Sequence, residues 1–253
     1  MRDKNQRIFW WLAIKYGNKP RLKNYTAKFK GLQITLSDAE SFVWQFKEIF
    51  ADELYRFKTN KETPVIYDCG ANIGMSVLYF SKGYPLARIE AFEAHPKVAN
   101  ILCANLDHNK IKNVQVHAKA VWTNNMGIEI SGAGADDASI FGTGNKMQIQ
   151  SIRLADFLAK EASVDMLKMD IEGAELEVLK DCEAHLHKVK NLFVEFHSFS
   201  SQKQQLSEVI EILQRQNFRY DIYNVNRLKT SPLLQLLQKD KTMDLQLNIF
   251  AKR

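Results

Sequence analysis

Two groups of residues in this 253-residue chain have the types and spacing to do chemistry. The first is Asp68-Cys69-Gly70-Ala71-Asn72-Ile73-Gly74, an acid leading into a turn bounded by two glycines. Gly70 can take backbone angles closed to other residues, or let a ligand come close to the main chain. Glu93 follows Gly74 by 19 positions, about where a carboxylate meets ribose hydroxyls in a mononucleotide-binding half. The second group is Asp170, Glu195 and His197. Glu195 and His197 are two apart on a strand-like run, so they share a face. A mostly apolar strand ending Glu-x-His places polar groups where burial demands a reason. One reason is a base that takes the proton of an incoming hydroxyl, a task suited to histidine. Another is a divalent cation held by Asp170, Glu195 and His197; oxygen ligands suit magnesium or calcium, and the imidazole shifts preference toward manganese or zinc. The plain alternative is a strand-end histidine with Glu195 in a structural hydrogen bond.

The elements that must position these groups alternate from Pro64 onward. Strand-like runs occupy 64–68, 87–93, 114–120, 164–170, 190–197, 218–224 and 243–251, and helical patterns fill 73–82, 96–107, 153–160, 174–186 and 201–216. That is the pattern of an α/β fold, a mostly parallel seven-stranded sheet with helices on both faces. Ligands bind such sheets at the carboxyl ends of the strands, which is where Asp68, Glu93, Asp170, Glu195 and His197 fall. The turn lacks the middle glycine of Gly-x-Gly-x-x-Gly and fits no phosphate-cradling Gly-x-x-x-x-Gly-Lys loop, which argues against dinucleotides and nucleoside triphosphates.

The order of motifs adds a resemblance. Asp68–Gly74 with Ser76, Ala91-Phe92-Glu93-Ala94-His95-Pro96, Asn105-Leu106, Lys119-Ala120-Val121 and Leu167-Lys168-Met169-Asp170-Ile171-Glu172-Gly173-Ala174-Glu175 resemble, in sequence, the landmarks of the FkbM family of methyltransferases. The similarity runs from about Val65 to His197. One departure is Ala94, where the family usually has proline; this should alter loop stiffness more than chemistry. The resemblance implies a Rossmann-like class I methyltransferase fold whose last strand inserts antiparallel, with S-adenosylmethionine as cofactor. It implies that Asp68, Gly70, Ala71, Asn72, Gly74 and Ser76 form the turn around its methionine end. Glu93 would take the ribose, Ala94 border the adenine, and Ala120 line the pocket wall. The implied reaction is direct methyl transfer to a hydroxyl oxygen of a sugar, glycan or other secondary metabolite; His197, Glu195 and Asp170, singled out above on their own chemistry, are its expected catalytic group.

Residues 1–63 read as a small α+β cap before a domain spanning 64–253. Phe29–Thr35 has strand character, and Ser37 with Glu40 forms a capping box opening a helix to Phe50. Tyr55 and Phe57, just beyond it, could line the cofactor pocket or pack. Residues 1–30 carry nine basic side chains against one acid, around the apolar run Ile8–Ile14. Seven residues are far short of the roughly 20 that span a bilayer. The segment either lies on an anionic membrane surface or grips a lipid-linked substrate, or it packs an aromatic face on the domain. Residues 127–131 and 147–152 are two further strand-like runs, and the glycine-rich stretch between them suits a mobile lid or a plain hairpin loop. The three cysteines are an odd number at unrelated spacing, with Cys103 and Cys182 expected as buried spacers; they favour a reducing, cytoplasmic setting over a disulfide framework. The net charge of +6 raises a nucleic-acid methyltransferase as a rival. The basic excess sits at one end rather than along a phosphate-tracking surface, so no nucleic acid is expected. A non-catalytic, partner-binding protein on the same fold is the other rival.

Overall fold

The structure is a computed structural model that describes residues 2–131, 146–225 and 243–253. Seven strands form one sheet in the spatial order Arg219–Asn224, Met243–Lys252, Val189–Phe199, Val164–Met169, Val65–Cys69, Arg88–Phe92, Val114–His117. They are β3 (Val65–Cys69), β4 (Arg88–Phe92), β5 (Val114–His117), β10 (Val164–Met169), β11 (Val189–Phe199), β12 (Arg219–Asn224) and β13 (Met243–Lys252). β3, β4 and β5 run parallel, as do β10 and β11, whereas β13 is antiparallel to both β11 and β12. The antiparallel last strand agrees with the fold that the motifs imply. Every residue of β10 is buried, as expected for a central strand covered on both faces. The chain divides into two compact units, Met1–Lys119 and, among the described residues, Ala120 onward.

In the first unit, α1 (Arg2–Tyr16), a β1–β2 hairpin (Tyr25–Phe29 and Leu32–Leu36) and α2 (Ala39–Phe46) precede the sheet strands. Phe29 anchors an aromatic core, its ring centroid 5.7 Å from Phe42, 5.1 Å from Phe46 and 5.3 Å from Phe50. The run Phe29–Thr35, expected as one strand, is instead split by the hairpin turn. Lys30 and Gly31 both have positive φ (47° and 73°), the geometry that matches the twist of paired strands. The capping box also needs correction. Asp38, not Ser37, caps α2, its carboxylate accepting from the Glu40 and Ser41 amides and from Arg21. Burial opposes the Asp38 charge, but the Ser41 amide and Arg21 outweigh it and hold its pKa below the ordinary value. α2 then loosens into a π-turn over Lys47–Ala51. Tyr55 stacks on Phe80 and Phe57 on Tyr84, so both are packed on α3 (Met75–Gly83) and its end.

The hairpin is fixed to α4 (Pro96–His108) by two asparagines. Asn105 accepts from the Thr35 amide and donates to the Thr35 carbonyl; Asn109, just past the helix, does the same for Gln33. Four residues apart on a helix, they complete the open edge of β2 much as a neighbouring strand would. Cys103, expected to be buried, is exposed on α4, whereas Cys182 is buried as expected.

In the second unit, β6 (Ala120–Trp122) pairs in parallel with β9 (Ser151–Arg153), and β7 (Ile128–Ser131) pairs antiparallel with β8 (Lys146–Ile149). The run 114–120 is therefore not one strand: its alternation continues past His117, but the chain changes sheet. The connection between β7 and β8, read from sequence as a lid, lies outside the described residues. α5 (Leu154–Lys160), α6 (Glu175–Cys182), a 3-10 turn over Glu183–Lys188 and α7 (Leu206–Arg215) complete the unit. Among the described residues, no helix is long and apolar enough to cross a membrane.

Candidate functional site

In the first unit, β3 delivers Asp68 into the turn ahead of α3. Asp68 is fully buried and accepts a hydrogen bond from the Ser76 hydroxyl in the first turn of that helix. The turn is held in a single shape by its own amides. Gly70 and Ala71 N–H both donate to the Phe92 carbonyl, Asn72 N–H to Glu93 Oε2, Ile73 N–H to Asn72 Oδ1, and Gly74 N–H to the Ala71 carbonyl. Gly70, Asn72 and Gly74 all have positive φ. At Gly74 a Cβ would stand 2.6 Å from Leu102 Cδ1, so this glycine is required for helix packing as well as for its backbone angle.

Glu93, at the end of β4, is buried and ties the two loops together: Oε2 takes the Asn72 amide and Oε1 the His95 amide. Ala94 is half-buried beside it. His95 precedes α4, and its Nδ1 is buried with no hydrogen-bond partner among the described residues. His117 is bound 2.7 Å from Glu90 and stacks on Phe92, which makes it a packing residue.

The donor balance of this turn decides what it can hold. A phosphate needs main-chain amides pointed at it, and here all five amides from Gly70 to Gly74 donate within the protein. The groups around the turn that accept hydrogen bonds are its carbonyls and the Glu93 carboxylate. That fits a ligand rich in donors, such as the ammonium group and ribose hydroxyls of S-adenosylmethionine. Ala120, also expected at this cofactor, lies on β6 in the second unit, where its amide donates to the Gln150 carbonyl.

In the second unit, His197 is buried on β11 with Nδ1 2.9 Å from Glu175 Oε1. Nε2 lies 3.7 Å from Glu172 and 3.8 Å from Glu195. Burial alone would lower the His197 pKa. Glu175, by charge and hydrogen bond, and then Glu172 and Asp170 outweigh it and push the pKa up to about 10. Glu175 also holds the loop that follows β10. Its oxygens accept from the Ile171 and Gly173 amides, across a turn where Glu172 and Gly173 have φ of 55° and 103°. Asp170 is 3.3 Å from the ammonium of Lys168, a lysine that β10 buries almost completely. Glu195 accepts from the Gln246 amide of β13.

The structure places Asp170 and Glu195 each near His197 and adds residues that sequence reasoning missed. Glu172, rather than the expected Glu195, joins Asp170 and His197 in a group whose ligand atoms all lie within 4.8 Å of one another. Glu175 was visible only as part of a motif; its pairing with His197, 22 residues away, had no local signal. Gln246 and Asn248 sit opposite His197 and Glu195 in the β11–β13 register, so their side chains share that face of the sheet. Asn248 Oδ1 is buried with no hydrogen-bond partner among the described residues.

The chain is similar to known proteins. A profile of the methyltransferase FkbM domain matches residues 68–220. The chain is 31% identical over 204 residues to methyltransferase sdnD of Sordaria araneosa, covering 66% of this chain and 79% of that protein. It is 25% identical over 229 residues to the hexuronic acid methyltransferase AglP of Haloferax volcanii, covering 86% of this chain and 90% of that one. Among solved structures, methyltransferase FkbM from Methylobacillus flagellatus superposes with a TM-score of 0.51 at 17% identity, over 97% of this chain and 59% of that chain; at this identity the likeness is one of fold.

Proposed function

Because the chain belongs to the FkbM family of S-adenosylmethionine-dependent methyltransferases, we propose that it methylates a hydroxyl oxygen of a sugar, glycan or related secondary metabolite. The observation that carries the cofactor end of this reading is that the amides of the Gly70–Gly74 turn all donate within the protein, which suits the turn to carbonyl and carboxylate contacts with an ammonium and a diol rather than to a phosphate. Glu93 is the ribose acceptor, and His95, whose amide Glu93 binds, brings a buried Nδ1 as a further polar group. The cofactor supplies a methyl group on a sulfonium leaving group, so the protein's work is alignment and handling of one proton.

His197 is the group for that proton. Glu175 fixes the ring through Nδ1, and Nε2 is the atom directed to accept. Its raised pKa means that the neutral, accepting form grows as pH rises, so turnover should climb through the alkaline range. Glu195 and Asp170 orient the acceptor hydroxyl or the imidazole. The acceptor class is supported by a relative of nearly full length whose name specifies a hexuronic acid.

A second reading rests on the clustered Asp170, Glu172 and His197, which would hold a divalent cation once Nε2 gave up its proton. Loss of turnover in chelator with recovery on adding magnesium or manganese would support it, and full turnover in chelator would dismiss it.

The test of the main reading is transfer of labelled methyl to a panel of glycans and uronic acids, with the product treated in mild base. A methyl ether on a hydroxyl survives that treatment. A base-labile product would be a carboxyl ester and would overturn the hydroxyl assignment.

A further inference from the structure

α1 has two apolar faces, and the fold uses only one. Asn5, Phe9, Leu12 and Tyr16 line the buried face, with the Tyr16 ring edge-on to Phe42 at 5.7 Å. Trp10, Trp11 and Ile14 fall on the opposite side and are 64%, 48% and 82% exposed. α2 adds Trp44, 54% exposed, its ring 6.2 Å from Phe9, which in turn lies 5.0 Å from Trp10. A single exposed apolar residue needs no explanation. Three tryptophans and an isoleucine on two packed helices form a patch of the kind that marks an interaction surface.

Its surroundings are basic. Lys4, Arg7 and Lys15 are exposed on α1, and Lys19 and Lys23 are exposed just after it. The Lys15 ammonium lies 4.8 Å over the Trp11 ring. Of the nearby acids, Asp38 and Glu40 are paired with Arg21, and Asp52, which accepts from Gln6 of α1, is paired with Lys47. Across residues 1–30 only Asp3 opposes nine basic side chains.

From this arrangement we propose that the outer face of α1, with Trp44, docks flat on an anionic lipid bilayer. Tryptophan rings favour the headgroup level, where an apolar body and a polar N–H are both accommodated. A helix with tryptophan on its outer face and lysine and arginine around it is built to lie in the interface plane. A protein partner would have to supply a matching acidic rim, whereas the negative potential of an anionic leaflet complements the whole basic surround. Each lysine or arginine near such a surface is worth roughly fivefold in partitioning.

The experiment is co-sedimentation of the full chain with phosphatidylcholine vesicles, with and without added phosphatidylglycerol, alongside tryptophan emission. Binding to the anionic vesicles is expected, with a blue shift in emission and release by salt. The pairs Trp10→Ser with Trp11→Ser, and Arg7→Glu with Lys15→Glu, should each weaken it about tenfold or more. Both pairs change exposed side chains, so unchanged thermal melts are expected to accompany the loss. Failure of the wild type to bind anionic vesicles, equal binding to pure phosphatidylcholine, or full binding by both variants would each overturn the proposal. A concentration-dependent dimer abolished by the same tryptophan substitutions would also overturn it, by assigning the face to a second copy of the chain.

Discussion

Replacing Glu175 with glutamine should change how stability depends on pH, not only how large it is. In the wild type, the Glu175 oxygens receive N–H groups from Ile171, Gly173 and His197. A carboxamide keeps one oxygen but turns an NH2 toward those donors. A buried donor left without an acceptor costs about 1–3 kcal/mol. The charge contribution depends on His197, whose pKa lies near 10 in the fold against an ordinary 6.5. A pKa raised by folding gives stability that is complete below the ordinary value and is lost as pH climbs through the folded one. Within that window the wild type should lose up to about 1.4 kcal/mol per pH unit from this group. Glu175→Gln removes the strongest charge sustaining the imidazolium, so its own profile should be flatter. The gap between the two proteins is then widest near pH 6 and narrows toward pH 10. Urea melts across that range, with the slope m compared at each pH, measure it directly. A gap that stays constant with pH would refute the claim that Glu175 sets the charge of His197.

Gly74→Ala places a Cβ against Leu102 at a φ of +96°. Strain and overpacking together should cost on the order of 2–4 kcal/mol, read as a lower urea midpoint; Leu102→Ala destabilises the core by itself, but in a double-mutant cycle its coupling to Gly74→Ala should equal only the contact part. Asn105→Ala removes the bonds to both main-chain groups of Thr35 and the bond to the Ile73 carbonyl. It should cost on the order of 3 kcal/mol and also weaken S-adenosylhomocysteine binding, because Ile73 belongs to the turn proposed to hold the cofactor. Unchanged melts and affinity would show that Asn105 does not support that turn.

Much of the sheet was legible because its strands are short apolar runs that end in polar residues, as Val65–Cys69 does at Asp68 and Val164–Met169 does before Asp170. The turn at Gly70 and the acid at Glu93 were readable for the same reason, being local in sequence. What escaped reading was set by neighbours distant in the chain. The Glu175–His197 pair joins a helix start to a strand end, and the Gln246 and Asn248 positions follow from a strand register that no local pattern fixes. Asp38 displaced Ser37 as the helix cap because its carboxylate also meets Arg21, a contact across 17 residues. The Lys30–Gly31 turn did leave a local trace, since a glycine amid alternating residues is a hairpin signal. At His117 the alternation runs on unbroken, so nothing in the sequence marks the change of sheet.

The most direct test of the cofactor assignment is calorimetric titration of the full chain with S-adenosylhomocysteine, beside Glu93→Ala with its fold checked by thermal melting. Saturable one-site binding by the wild type, weakened about tenfold or more in the folded variant, is the predicted result. No binding by a folded wild-type chain, or equal binding by the variant, would contradict the account of the Gly70–Gly74 turn and its Glu93 anchor.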